Sequence, residues 1–530
     1  MDSTGNPPWT FNLMHRAWID VASVDGGDER RLSLRDTLIS AHELRGFTEP
    51  SPLYVVGLYR LLVAVLQDAL GVAKLADVVR IWQGGSFSAD AIHRFADRFS
   101  DRFDVFSADM PFLQSGDLPL AAMKGDNVKP VGYLAFDMPT ATAINHFRHV
   151  YDEDQCLCPR CAAMGLVTVP AFASSGGAGI KPSINGVPPL YVLPVGDTLF
   201  ASLTLGLVSR NYQPAVRSEE ADLPWWRRDD PDIAKVELEK VGYLQSLTFP
   251  ARRVRLHPCE GPAMCSRCGE SSSLVVRTMV FDMGESRPKD AAFWRDPFAA
   301  YRLGKKEKPP VPLRPNEGKA LWREFAGLFL PAVSGGPSPA TLPPTVVQQV
   351  DKLVNENEGL FHHDQSQRFR CIGIRTDMKA KVFEWVDAGF DVPLSLLGDA
   401  AAAIGIASAV RFVEDAVYAT RAVLRRHGSA GRREEMRSAV SERMTASLWA
   451  SLTDPFRRLV LQAADIPDRS ALLVAWGDQV LSACRHQLER AVEALGDDGE
   501  ALRHRAEALA DFGRRAAKLR QAYTSSFTEA

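Results

Sequence analysis

The sequence predicts an α+β protein: a large, mixed and loop-rich N-terminal domain, residues 1–390, followed by a C-terminal antiparallel four-helix bundle, residues 391–530. Three observations point there. From about Pro393 onward Ala, Leu, Arg and Glu dominate, and only Pro455 and Pro467 interrupt the helical period. Between about Lys124 and Pro344, Gly, Pro, Ser and short β-rich runs such as Leu190-Tyr-Val-Leu and Leu274-Val-Val-Arg replace long helical periods. Earlier, residues 53–70 (LYVVGLYRLLVAVLQDAL) are apolar on most faces, as a buried central helix must be.

In chain order, Phe11-Asn-Leu runs into Trp18-Ile-Asp-Val, a short β-leaning piece. Leu32-Ser-Leu-Arg-Asp-Thr-Leu then starts on a serine cap and continues at helical spacing. After the central helix and the loop-rich middle, proline-dense segments at 309–315 and 331–344 mark the approach to another boundary. Breaks near Gly428-Ser-Ala-Gly431, Asp465-Ile-Pro and Gly496-Asp-Asp-Gly499 divide the remainder into helical segments 394–427, 432–464, 469–495 and 500–523. Residues 401–530 hold eighteen Arg and one Lys against seventeen acids, so most of these arginines read as solvated faces with intrahelical ion pairs. Arg421, Arg425 and Arg426 are where a basic stripe facing nucleic acid is to be sought.

The 530 residues carry a formal net charge of −3, with 46% hydrophobic and 24% charged residues, an ordinary soluble composition with room for two to four domains. Near neutrality argues against a chain that coats nucleic acid nonspecifically and leaves room for a local basic patch. The opening MDSTGNPPW is not a charged-then-apolar leader, and the longest apolar run, 400–410, is shorter than the roughly 20 residues of a membrane span. A cytoplasmic protein is expected, with no membrane association.

Eight cysteines stand at positions 156, 158, 161, 259, 265, 268, 371 and 484, six of them in two knots. Cys158-x-x-Cys161 and Cys265-x-x-Cys268 have matching spacing, and two such pairs close a tetrahedral thiolate site of the kind zinc prefers. With all four ligands from protein no position stays open for water or substrate, so the zinc would be structural. Cys156 and Cys259 are alternative ligands, and free thiols in loops are the competing reading. A redox pair is disfavoured because neither motif reads as opening a helix directly after a buried strand. Cys371 and Cys484 read as small buried hydrophobes.

Gly176, Gly177, Ala178 and Gly179, followed by Lys181, form a second device. The run lacks the spacing of a phosphate-binding GxxxxGK[ST] loop and follows no clear strand. Near-naked residues do let a backbone approach a crowded partner and donate N–H groups to phosphates or groove edges, with Lys181 adding charge; a plain surface loop is the alternative. A metal-dependent hydrolase or nuclease would need an open metal position, and Phe361-His-His-Asp364 has neither the HExxH spacing nor further ligands. A zinc-ribbon regulator would need a recognition helix, and none stands out.

Phe11-Asn-Leu and Trp18-Ile, Leu32-Ser-Leu-Arg-Asp, Arg102-Phe-Asp-Val-Phe with Pro111-Phe-Leu-Gln, the first CxxC, the glycine loop, the second CxxC and the helical C-terminus follow one another in an order that resembles the CasA family. CasA is the large subunit of the type I-E CRISPR Cascade complex, and the resemblance spans nearly the whole chain. It implies a non-enzymatic subunit of an antiviral RNA-guided complex. Such a subunit recognises the protospacer-adjacent motif (PAM) in double-stranded DNA, helps the guide start an R-loop, and docks a helicase-nuclease, while base pairing reads the remaining sequence.

By that resemblance the glycine loop falls on Gly176 to Gly179 with Lys181 behind it, and a lysine finger for the minor groove falls on Lys305 or Lys306, near Lys308. A wedge under the PAM falls on Asp377, Met378 and Lys379, with Met378 in place of the family's glutamine. A loop touching the 5′ handle of the CRISPR RNA falls on Phe147, Arg148 and His149, eleven positions before Cys158, where ring and cations suit stacking and pairing with RNA. The implied partners are CRISPR RNA, double-stranded target DNA, the other Cascade subunits and the helicase-nuclease.

Overall fold

Two units compose the chain, one built from Met1–Arg314, Pro344–Glu356 and Gln367–Phe390, the other from Pro315–Pro343, Asn357–Ser366 and Asp391–Ala530. The structure, a computed structural model, describes residues 9–26, 29–118, 128–137, 155–174, 181–214, 222–230, 232–304, 308–315, 320–332, 341–357, 359–360, 365–376, 382–426, 433–494, 496 and 499–528.

The first unit begins with a three-stranded antiparallel sheet in which Ile19–Ser23 lies between Glu29–Leu32 and Leu44–Phe47. Ile19 and Val21 alternate inward, as a half-buried strand requires. The serine cap forms as expected: Ser33 Oγ accepts from the Asp36 amide (3.1 Å) at the start of helix Leu34–Ile39. Helix Pro52–Ala69 starts on a proline and is buried around almost its whole circumference. Its length and hydropathy alone would suit a membrane span, but 89% of that stretch is buried inside the protein, so it is a core helix. Helix Pro159–Phe172 packs on it where Gly57 lacks a side chain; a Cβ there would lie 2.8 Å from Thr168 Oγ1.

A long antiparallel ribbon, Arg252–Met264 with Ser271–Met283, carries irregularities at His257/Pro258 and Glu260/Ala263, and Val128–Pro130 pairs along Ser271–Met283, which is thereby the central strand. A further sheet orders Val382–Pro393, Ser366–Thr376 and Tyr191–Val195 side by side. Beneath it lies a fully buried ion pair, Arg60 Nη1 to Asp296 at 3.0 Å, with Asn185 donating to the same carboxylate (3.1 Å) and Tyr301 Oη accepting from the Asp296 amide (2.9 Å).

In the second unit a short helix, Phe325–Phe329, precedes the longer helices Ala400–Arg426, Arg433–Ser451, Thr453–Asp465, Ser470–Glu493 and Gly499–Thr528. The single helix expected over 432–464 divides at Leu452. Pro455 is the physical reason: it has no N–H for the carbonyl four residues back and its ring crowds that carbonyl. Phe412 stacks on Tyr523 (4.2 Å between ring centroids), and Trp476 Nε1 donates to the Ala409 carbonyl (3.1 Å). Residues 315–343 and 357–366, which the boundary at 390 places in the N-terminal domain, group with these helices instead. Trp322 explains the first stretch: it stacks on Phe456 at 4.6 Å and meets Trp449 at 5.4 Å, and apolar contact outweighs proximity in sequence.

Candidate functional site

Cys158 caps helix Pro159–Phe172 and Cys161 stands in its first turn. The first motif therefore opens a helix, because Pro159 is pre-set for the first helical position, but among the described residues only an isolated bridge at Leu157, and no strand, directly precedes it, so the strand–helix setting of a redox pair is not formed. Cys265 and Cys268 lie in the turn between the two ribbon strands. Gly269 closes that turn at a φ of 74°, and its amide donates to the Cys265 carbonyl (2.9 Å). All four sulfurs lie within 4.8 Å of one another, Cys158 and Cys268 at 3.8 Å, and the Cys158 amide donates to Cys265 Sγ at 3.3 Å.

As thiols the four share protons unequally: the Cys161 thiol's hydrogen bond pulls Cys268 down to about 6, while sulfur contacts to Cys158, Cys265 and Cys268 push Cys161 up. Converging soft donors of this kind fit a tetrathiolate metal ion that relieves their mutual repulsion. Cys156 and Cys259 lie outside the group; Cys156 Sγ donates to the Met264 carbonyl (3.1 Å). Cys371 and Cys484 are fully buried, as expected for small hydrophobes.

Sequence reading did not assign a role to the arginine inside each motif. Arg160 pairs with Asp20 and, at 3.5 Å, with Glu270, which also holds Arg31 at 2.7 Å. Arg267 pairs with Glu49 and with Asp137 (3.2 Å), lies over the Tyr54 ring at 3.9 Å, and points Nη1 at Cys161 Sγ (3.8 Å). Burial opposes the charge on Arg267, but Tyr54, Asp137 and Glu49 together outweigh it and its pKa rises. The signal available in the sequence was the repeated Cys-x-Arg-Cys order.

Phe147, Arg148 and His149 lie outside the described residues, but both ends of their segment meet the cysteine turn. At one end Asp137 meets Arg267 and accepts from Tyr54 Oη (3.1 Å). At the other, the Cys156 amide donates to Ser266 Oγ (3.0 Å) and the Ser266 amide to the Cys156 carbonyl (2.8 Å). The cysteine turn thus holds the two ends of the segment expected to touch RNA.

Gly176, Gly177, Ala178, Gly179, Lys305, Lys306, Asp377, Met378 and Lys379 also lie outside the described residues, as does Phe361-His-His-Asp364. Lys181 is described: it is half-exposed and its Nζ pairs with Glu237, a partner not anticipated from sequence. Three flanking segments meet at Tyr191. The chain reaches Tyr191 from Lys181; Tyr191 bridges antiparallel to Ala299, six residues before Lys305; and it pairs with Ile372, five residues before Asp377. Five strand residues reach about 17 Å. Because the Ile372 pairing is antiparallel, strand Ser366–Thr376 runs past Tyr191 toward the side from which the Lys181 segment arrives.

Residues 12–494 match the sequence profile of the CRISPR-associated protein Cse1 family. The chain belongs to that family. A curated relative, CRISPR-associated protein CasA/Cse1 of Thermus thermophilus, is 29% identical over 529 residues, covering 95% of this chain and 97% of the relative. The Cse1 crystal structure from Thermobifida fusca superposes with a TM-score of 0.77 at 24% identity, over 97% of this chain and 98% of that one. A chain of a structure described as a CRISPR RNA-guided surveillance complex superposes with a TM-score of 0.65 at 20% identity, over 94% of this chain and all of that one. Both likenesses establish the mixed α/β Cse1 fold with its helical C-terminal region. The Cse1 match ends at residue 494, before helix Gly499–Thr528.

Proposed function

We propose that this Cse1-family chain is the large, non-catalytic subunit of a CRISPR RNA-guided DNA surveillance complex, acting in the cytoplasm with CRISPR RNA and the other Cascade subunits. The meeting of three flanking segments at Tyr191 is the observation that carries it. The described segments that follow residues 176–179 and precede the Lys305/Lys306 pair and residues 377–379 run through or pair at Tyr191, which supports reading the three together although about two hundred residues separate the first from the last.

A short duplex motif offers little information in the minor groove, so close backbone approach, a cation and a wedge must act together to read it. Gly176, Gly177, Ala178 and Gly179 present backbone N–H groups, Lys305 or Lys306 reaches into the groove, and Asp377, Met378 and Lys379 press under the motif so that guide pairing can begin. Lys181 leaves Glu237 for a phosphate when DNA arrives. Phe147, Arg148 and His149 bind the guide's 5′ handle. Cys158, Cys161, Cys265 and Cys268 hold a structural zinc, which fixes the turn that supports that segment. The C-terminal helices, as an antiparallel four-armed bundle whose second arm is broken at Leu452, complete the subunit, and the assembled complex recruits the helicase-nuclease.

Duplex targets with intact and scrambled motifs, presented to the guide-loaded complex, test this reading. Lys305→Ala with Lys306→Ala relaxes discrimination between the two and costs on the order of 1 kcal/mol or more on the intact motif. Equal binding and opening of every target by parent and variants would contradict it.

A further inference from the structure

Arg252 opens the long ribbon, is buried at 3% exposure, and has no carboxylate partner among the described residues. Burial pulls its pKa down to about 10, which leaves it protonated near neutrality. A buried guanidinium without a counter-anion is costly unless its N–H groups are taken up by oriented acceptors. All the acceptors found for it are backbone carbonyls: Nη1 donates to Lys181 (2.8 Å) and Ala251 (2.7 Å), and Nη2 donates to Ser174 (2.5 Å). Ser174 and Lys181 are the residues immediately before and after 175–180, the stretch that contains the glycine loop.

Met283, directly opposite Arg252 in the ribbon, completes the grip by accepting the Lys181 amide on Sδ (3.1 Å). Both peptide groups of Lys181 are therefore held by one cross-strand pair. Gly284 permits the fit, since a Cβ there would lie 2.7 Å from the Arg252 amide nitrogen and collide with the Pro250 carbonyl. A second bond, Ser183 amide to Ala173 carbonyl (2.8 Å), closes the base of the loop just beyond.

We propose that Arg252 is a positioning residue for motif reading: its planar fork fixes both ends of the glycine loop, so that the loop meets DNA from a preset base. The inference rests on the reading of Gly176 to Gly179 as a DNA contact. A guanidinium holds carbonyls in several fixed directions at once; an ammonium on a flexible stem cannot reproduce that fork. Fixing the ends beforehand lowers the ordering cost of binding, and the gain is confined to complexes in which the loop is seated.

The test uses the full guide-loaded complex with Arg252→Met, Arg252→Lys and, as a control, Gly177→Val. Affinities for intact and scrambled motifs are measured, together with hydrogen exchange at the Ser183 amide in the absence of DNA. Arg252→Met is expected to speed Ser183 exchange and to weaken intact-motif binding on the order of tenfold, with scrambled-motif binding unchanged. Arg252→Lys should fall between it and the parent, and it carries the comparison if the methionine variant does not assemble. Equal losses on both targets overturn the inference, because a merely structural residue would behave that way. A parental ratio for both Arg252 variants, with the ratio altered by Gly177→Val, overturns it and leaves the loop reading intact. A parental ratio for Gly177→Val as well overturns the loop reading itself.

Discussion

Replacing Arg267 by Met isolates the link between the cysteine turn and the segment expected to touch RNA. The Arg267 side chain is 7% exposed and its partners Glu49 and Asp137 are 2% and 17% exposed, so the substitution strands two carboxylates with little access to water. Removing one member of a buried ion pair costs about 3–5 kcal/mol. Loss of the contact over Tyr54, worth up to about 2 kcal/mol, overlaps with that figure and is not added to it. Asp137 retains some hydration, so about 3 kcal/mol is expected. With two units in the chain a single global unfolding energy is poorly defined, and local hydrogen exchange is the suitable assay. Amides in 134–137 and 264–268 should exchange about a hundredfold faster, at 1.4 kcal/mol per factor of ten, while those of helix Ser470–Glu493 stay at parental rates. Adding Glu49→Gln should recover part of the loss, because it removes the charge that lacked a partner. Exchange within about threefold of the parent, or strictly additive effects of the two substitutions, would refute the reasoning.

Elemental analysis of protein purified without chelator should find one zinc per chain, and its removal should loosen residues 155–161 and 264–269; a metal-free preparation with parental protection there contradicts the site. Cys158→Ser should lower solubility before it alters motif preference, which solubility and binding measured on one preparation will check. Changing Phe147, Arg148 and His149 together to Ala should weaken attachment of the chain to the guide-bearing complex, and unchanged co-elution removes them from the RNA contact. Glu237→Gln should free Lys181 and tighten binding to all duplexes alike by less than about fivefold, since a half-exposed pair is worth at most about 1 kcal/mol. Because Lys181 reaches its phosphate in the parent too, the salt slope of Glu237→Gln should stay parental, whereas Lys181→Ala should flatten it by about one unit; an unchanged slope in Lys181→Ala means that Lys181 meets no phosphate.

What was legible in the sequence was local. Residues 53–70 show the core helix because apolar residues occupy every face, Ser33 shows a cap because its hydroxyl serves the next turn, and paired CxxC spacing shows which four cysteines converge because two residues between cysteines let both sulfurs of a turn face one point. Long-range pairing was not legible. Arg267 finds Glu49 218 positions away, Arg252 finds Ser174 78 positions away, and no periodicity encodes such partners. Trp322 was hidden by the prolines around it, which suggest a linker, whereas its ring belongs to the packing of the helical unit. Lys181 read as a free cation because Glu237 approaches it only in the folded chain.

The most direct test of motif reading by this chain compares guide-loaded complexes assembled with and without it, measuring equilibrium binding to duplexes that differ only in the motif. With the chain present, a scrambled motif should cost about 1–3 kcal/mol per altered base pair, and without it the two duplexes should bind alike. The same ratio of affinities in both assemblies would show that the motif is read elsewhere.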